Sequence, residues 1–157
     1  MSNEPADVDA LGPLVKTVVV PLGPDQAFEL FTTGMSRWWP LDSHSVGEDH
    51  AHAVLVDGTV GGAVTEWIDD GRSEVWGRVT AWEPPGRVAL DWFPGHPETE
   101  ATPLEVTFVP ADGGTRVELT PARWSARPDG ELARAEYDPG WDYVLGRYAG
   151  RAAAPAP

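Results

Sequence analysis

Between residues 52 and 121 apolar and polar residues alternate with a period of two, and the alternation breaks at Asp57-Gly58, Asp70-Gly71, Pro85-Gly86 and Asp112-Gly113. No other feature constrains the chain as strongly. Successive side chains of a strand point to opposite faces, so strict alternation describes strands with one buried face and one wet face. Connections this short cannot carry the crossover that parallel strands need, so the neighbours must be antiparallel. The expected strands span about 52–56, 62–68, 73–82, 87–93, 103–109 and 114–121. Val88, Leu90 and Trp92 fall on one face of their strand, with Arg87, Ala89 and Asp91 on the other. Leu104, Val106 and Phe108 repeat the pattern, as do Val117 and Leu119. Pro85-Gly86 supplies a fixed φ followed by a residue that tolerates φ > 0, which predicts a type II turn.

An apolar sheet face needs a cover, and the flanks provide it. Residues 14–20, LVKTVVV, are β-branched and read as a first strand ended by Pro21 and Gly23-Pro24. Ala27, Phe28, Leu30 and Phe31 then form a helical apolar stripe with Pro24 at its first position. Met35 to Trp39 adds a short turn closed by Pro40. Near the other end, Trp141, Val144, Leu145 and Tyr148 follow i, i+3, i+4, i+7 spacing. Asp138 is the expected N-cap of this helix, Pro139 its first residue and Gly150 its stop, with 129–137 adding a turn or two.

The chain has 157 residues, the size of one domain, and neither a repeat nor a Pro/Gly/Ser linker divides it. The expected organisation is a disordered acidic tail at 1–12, one domain at 13–150 and a disordered Ala/Pro tail at 151–157. A formal charge of −14, from 25 acidic against 11 basic residues, repels a phosphate backbone, so nucleic acid is not an expected partner. The chain contains no cysteine, which removes disulfides, thiolate nucleophiles and zinc-thiolate sites. No apolar run approaches the ~18–20 residues of a membrane span, and the first residues lack the features of a secretory signal. A cytoplasmic protein is expected.

The order strand, helix, Trp-Trp-Pro, six-stranded meander and terminal helix resembles the START-like (SRPBCC) superfamily. Within it the chain is most similar to the heat-shock-protein-90 ATPase activator homologues (AHSA-type). Residues 13–150 carry the likeness, through Phe28-Glu29-Leu30-Phe31, Trp38-Trp39-Pro40, Gly61-Gly62, Trp76-Gly77-Arg78-Val79, Trp82-Glu83-Pro84-Pro85, Gly114-Thr115 and Gly140-Trp141. The resemblance implies an α+β helix-grip fold, an antiparallel sheet wrapped around a C-terminal helix. It also implies a cavity between the two that takes hydrophobic small molecules, without a shared catalytic set. Only the polar segment 1–12 precedes the first strand, which weakens the expectation of chaperone activation.

Trp76, Leu90, Trp92, Phe108, Trp141, Leu145 and Tyr148 are the expected lining of that cavity, although the same pattern fits a filled core. Of Trp38 and Trp39, at least one is expected to plug the end of the core. His50-x-His52 could hold zinc with a carboxylate, but there is no third histidine nearby, and a plain loop is the expectation; no metal site is assigned. His44 and His96 read as loop residues. Gly61-Gly62 and Gly113-Gly114 precede strands, not helices, and read as turns rather than phosphate cradles. Asp91 alternates away from Leu90 and Trp92, so it is expected to face water and not to act as a base. The expected function is non-catalytic binding of a hydrophobic or aromatic small molecule, with no cofactor. The alternatives are a cyclase- or aromatase-type enzyme using the same cavity and a protein-interaction module.

Overall fold

The computed structural model describes residues 11–154. Seven strands form one antiparallel sheet: β1 (Lys16–Val20), β2 (Ala51–Val56), β3 (Ala63–Ile68), β4 (Ser73–Glu83), β5 (Arg87–Trp92), β6 (Thr102–Ala111) and β7 (Gly114–Pro121). Their order is β1-β7-β6-β5-β4-β3-β2, so the last six strands are a simple meander and β1 returns to its far edge. Helix α1 (Pro24–Phe31) follows β1, and helix α2 (Gly130–Ala153) closes the chain. The alternation predicted the antiparallel meander, and the long helix closing the chain completes the helix-grip arrangement that the family resemblance implies.

Val88, Leu90 and Trp92 on β5, Leu104, Val106 and Phe108 on β6, and Val117 and Leu119 on β7 are all buried against the helices. Phe28 and Phe31 of α1 meet Phe108 edge-on, at 5.2 and 5.8 Å between centroids. Tyr148 of α2 packs on Phe31 and donates its hydroxyl to the Ala27 carbonyl at 2.8 Å, joining the two helices inside the core. Burial alone pushes the Tyr148 phenol far above its ordinary pKa, so it remains a donor.

Three local expectations are corrected. The turn between β4 and β5 is not type II: Pro84-Pro85 is cis, Gly86 does not take a positive φ, and Gly86 N–H closes on Glu83 O at 2.9 Å. A cis proline at the third position is the type VI pattern, which the tertiary amide of an X-Pro bond allows. Secondly, α2 does not begin at Asp138. It runs unbroken from Gly130, with Asp129 at the N-cap position and Pro139 inside. Pro139 removes one helical hydrogen bond, a loss tertiary packing must offset. Ala133 and Trp124 are buried ahead of it, and Trp141, Val144, Leu145 and Tyr148 after it. Lys16 of β1 also pairs with both Asp138 and Asp142, straddling the proline.

The third correction concerns the ends. Gly150 is helical, α2 continues through Arg151 to Ala153, and Ala152 is buried, so the predicted tail at 151–157 starts too early. Leu11 packs beside Trp124, and Gly12 O accepts from Arg134 Nε at 2.7 Å, which ties down the last residues of the predicted N-terminal tail. The rest of both tails, 1–10 and 155–157, lies outside the described residues. Among those described, no helix is long and apolar enough to cross a membrane.

Candidate ligand site

A cavity of about 380 Å³ opens where three segments meet. Helix α2 contributes Tyr137, Gly140, Trp141 and Val144; the end of β5 and its following turn contribute Trp92, Pro94 and Gly95; the loop before β2 contributes Trp39 and the run Ser43 to Val46. The i, i+3, i+4, i+7 spacing of the four helical residues places them in one stripe along α2.

Indoles dominate the wall. Trp141 lies 5.8 Å from Trp39 and 5.7 Å from Trp92, centroid to centroid. Trp76 stands behind them, 5.1 Å from Trp39 and 6.0 Å from Trp92, wholly buried. Of the residues predicted to line a cavity, Trp92 and Trp141 border this one, whereas Trp76, Leu90, Phe108, Leu145 and Tyr148 do not border it and fill the core behind. The correction has a simple cause. Phe31, Trp38 and the side chains of α1 occupy the middle of the grip, and the indole-walled cavity lies at the end that α1 does not reach. The two adjacent tryptophans separate: Trp38 packs on Phe31 and Tyr148 and donates to Leu30 O at 2.8 Å as a core plug, while Trp39 turns to the cavity.

Sequence reasoning missed what holds the loop wall. Glu66 on β3 is fully buried, lies between inward-facing Val64 and Ile68, and has no cation among the described residues within ion-pair distance. Its Oε1 accepts from Trp76 Nε1–H at 2.7 Å and Val46 N–H at 2.9 Å, and its Oε2 from Gly47 N–H at 2.8 Å. Three N–H donors thus solvate the carboxylate in place of water. The fit is close: a Cβ on Gly47 would lie 3.0 Å from Glu66 Oε2 and 2.9 Å from Ile68 Cγ2. An acidic residue at an inward alternation position was the available signal. Trp39 adds a second tie, donating to His44 O at 2.7 Å, and the His44 ring stacks on Tyr143 at 5.0 Å.

The turn wall is held by a polar chain that sequence also did not reveal. Buried Arg127 donates from Nε and Nη2 to both carboxylate oxygens of Asp129, each at 2.8 Å, and from Nη2 to His96 Nε2, also at 2.8 Å. A guanidinium only donates, so His96 Nε2 must accept and its Nδ1–H faces Glu100 Oε1 at 3.1 Å. The Arg127 contact holds the Asp129 carboxyl below the usual range. His44 and His96, read as plain loop residues, therefore each brace one wall.

The remaining candidates lie elsewhere. His50 and His52 both reach the exposed Asp69 carboxylate, and among the described residues no group of three or more potential metal ligands occurs. The first-named contact at Asp69 is what raises the His50 pKa. Asp91 sits half-buried on the face opposite Leu90 and Trp92. Gly61 and Gly113 take positive φ in turns, Gly114 begins β7, and neither glycine pair opens a helix.

Comparison with known proteins follows the same lines. Residues 21–149 match the family described as Activator of Hsp90 ATPase homolog 1-like protein. An anthrahydroquino-gamma-pyrone synthase, solved in complex with a ligand, is 31% identical, with 88% of this chain and 96% of that one covered and a TM-score of 0.61. A protein from Nitrosomonas europaea shares the fold at 13% identity and TM-score 0.66, covering 92% and 96% of the two chains. The Aha1 dimer from Colwellia psychrerythraea does so at 18% identity and TM-score 0.64, covering 87% and 92%. No curated protein matches the sequence. With the family match spanning most of the chain, the seven-stranded grip and its long terminal helix are those of a member of the Activator of Hsp90 ATPase homolog 1-like family.

Proposed function

We propose that the protein binds a planar aromatic small molecule in the cavity walled by Trp39, Trp92 and Trp141. One observation carries the reading: three indoles from three separate segments converge on a single opening of about 380 Å³, within the size range of small-molecule sites. Flat faces of indole favour flat ligands, through offset or edge contacts worth ~0.5–1.5 kcal/mol beyond burial. A ring-closing activity on such a ligand is the second reading, and the 31% identity to the anthrahydroquino-gamma-pyrone synthase supports it. It needs polar groups at the cavity, and His44, Ser43 and Tyr137 border it.

Gly140 makes the reading testable without disturbing the core. It borders the cavity, yet a Cβ there meets nothing within 4 Å, so a large side chain would grow into the space. Replacing a helical glycine with phenylalanine also favours the helix, by a few tenths of a kcal/mol. Wild type should show saturable quenching of tryptophan fluorescence by polycyclic aromatic compounds, and Gly140→Phe should abolish it with no loss of thermal stability. Unchanged quenching in Gly140→Phe, or no saturable response from any aromatic compound in wild type, contradicts the proposal. Conversion of the bound compound to a cyclised product, lost in His44→Ala, would select the enzymatic reading.

A further inference from the structure

The cavity wall includes a hydroxyl whose hydrogen has no acceptor among the described residues. Tyr137 accepts at its hydroxyl oxygen from Arg127 Nη1, at a long 3.5 Å, and Arg127 cannot accept in return. Among the described residues nothing else accepts the hydroxyl hydrogen of Tyr137, so that hydrogen has no internal partner. Burial raises the Tyr137 pKa more than Arg127 lowers it, which keeps the group protonated. One helical turn on, Trp141 has its indole N–H buried without an acceptor. Both residues border the same cavity. Unmatched donors are uncommon in folded proteins, and an acceptor bound in the cavity would pair the half-buried Tyr137 hydroxyl; the Trp141 N–H, sealed from solvent, is not presented to it.

We infer that the cavity selects aromatic ligands bearing ring carbonyl oxygens, quinones and related ketones, with the Tyr137 hydroxyl, backed by Arg127, as the specificity-determining donor. The inference rests on the aromatic-ligand reading and refines it. Arg127 is well placed for the supporting role: it is 8% exposed and fixed on its other side by Asp129 and His96. The Tyr137 ring itself is packed edge-on against Trp124 at 5.3 Å, so removal of the hydroxyl leaves its ring contacts in place.

The test uses a matched pair of probes, anthraquinone-2-sulfonate and anthracene-2-sulfonate, which share shape and charge and differ in the two ring carbonyls. Wild type should bind the quinone more tightly. Tyr137→Phe should weaken quinone binding by roughly three- to tenfold, the range of one net hydrogen bond, and leave anthracene binding unchanged. Retained anthracene binding also reports that the variant is folded; should the variant bind neither probe, the wild-type preference decides. Equal affinity of the two probes for wild type, or equal effects of the substitution on both, overturns the carbonyl inference while the cavity reading stands. Absence of binding by either probe to wild type overturns both.

Discussion

Replacing Glu66 with glutamine should destabilise the protein by about 2–4 kcal/mol, and the structure shows how that figure arises. Glu66 accepts three N–H groups at 2.7 to 2.9 Å, and its residue is entirely buried. The amide oxygen of glutamine can keep the two donors shared by Oε1, Trp76 and Val46, at the cost of charge assistance, roughly 1 kcal/mol each. Its NH₂ group then confronts Gly47 N–H, donor against donor, which costs about 1–3 kcal/mol. A neutral amide is easier to bury than a carboxylate, and this returns part of the loss. Glu66→Leu leaves all three donors without acceptors, at about 1–3 kcal/mol each, comparable with the ~5–15 kcal/mol of a whole domain. Urea denaturation followed by tryptophan fluorescence measures both variants; with m of ~2 kcal/mol/M, the glutamine midpoint should fall by about 1–2 M. A glutamine variant within about 0.5 kcal/mol of wild type, or a leucine variant as stable as wild type, would refute the claim that these bonds outweigh the burial cost of the charge.

Two further outcomes are expected. The His50 imidazole should titrate above 6.5 in an NMR pH series because Asp69 faces it, and Asp69→Asn should bring it down; with a raised folded pKa, the stabilising contact is complete below pH 6.5 and fades as pH rises through the His50 midpoint. A His50 midpoint unaffected by Asp69→Asn would show the contact does not form in solution. Tyr148→Phe should lose about 0.5–1.5 kcal/mol in thermal or urea unfolding, since it removes the single hydroxyl bond from α2 to Ala27 O of α1 and retains the ring. No measurable change would mean that water satisfies the carbonyl equally well.

The strands and the face each side chain occupies were legible because alternation is a property of the local backbone. Val88, Leu90 and Trp92 cannot all face inward unless residues 87–92 are extended, and the short Gly-containing turn before them sets this strand antiparallel to β4. The same locality placed Trp141, Val144, Leu145 and Tyr148 on one stripe. It misled at Pro139, whose preference for a first helical turn is a local propensity of a few kcal/mol; buried residues on both sides and the Lys16 pairing to Asp138 and Asp142 outweigh it.

The cavity itself belongs to the tertiary structure alone. Whether Trp76 lines a space or fills one depends on how far α1 and Trp38 reach across the sheet, and no periodicity encodes that distance. Trp38 and Trp39 are chemically identical neighbours, yet one plugs the core and the other faces the cavity, because the short turn at Met35–Arg37 aims them differently. Glu66 lay in plain sight as an acid between Val64 and Ile68, but its partners, Val46 and Gly47, sit on a loop some twenty positions upstream. The alternation determines that Glu66 points inward; only the folded loop, arriving with its two N–H groups beside Trp76, decides that a buried carboxylate there is solvated and therefore stable.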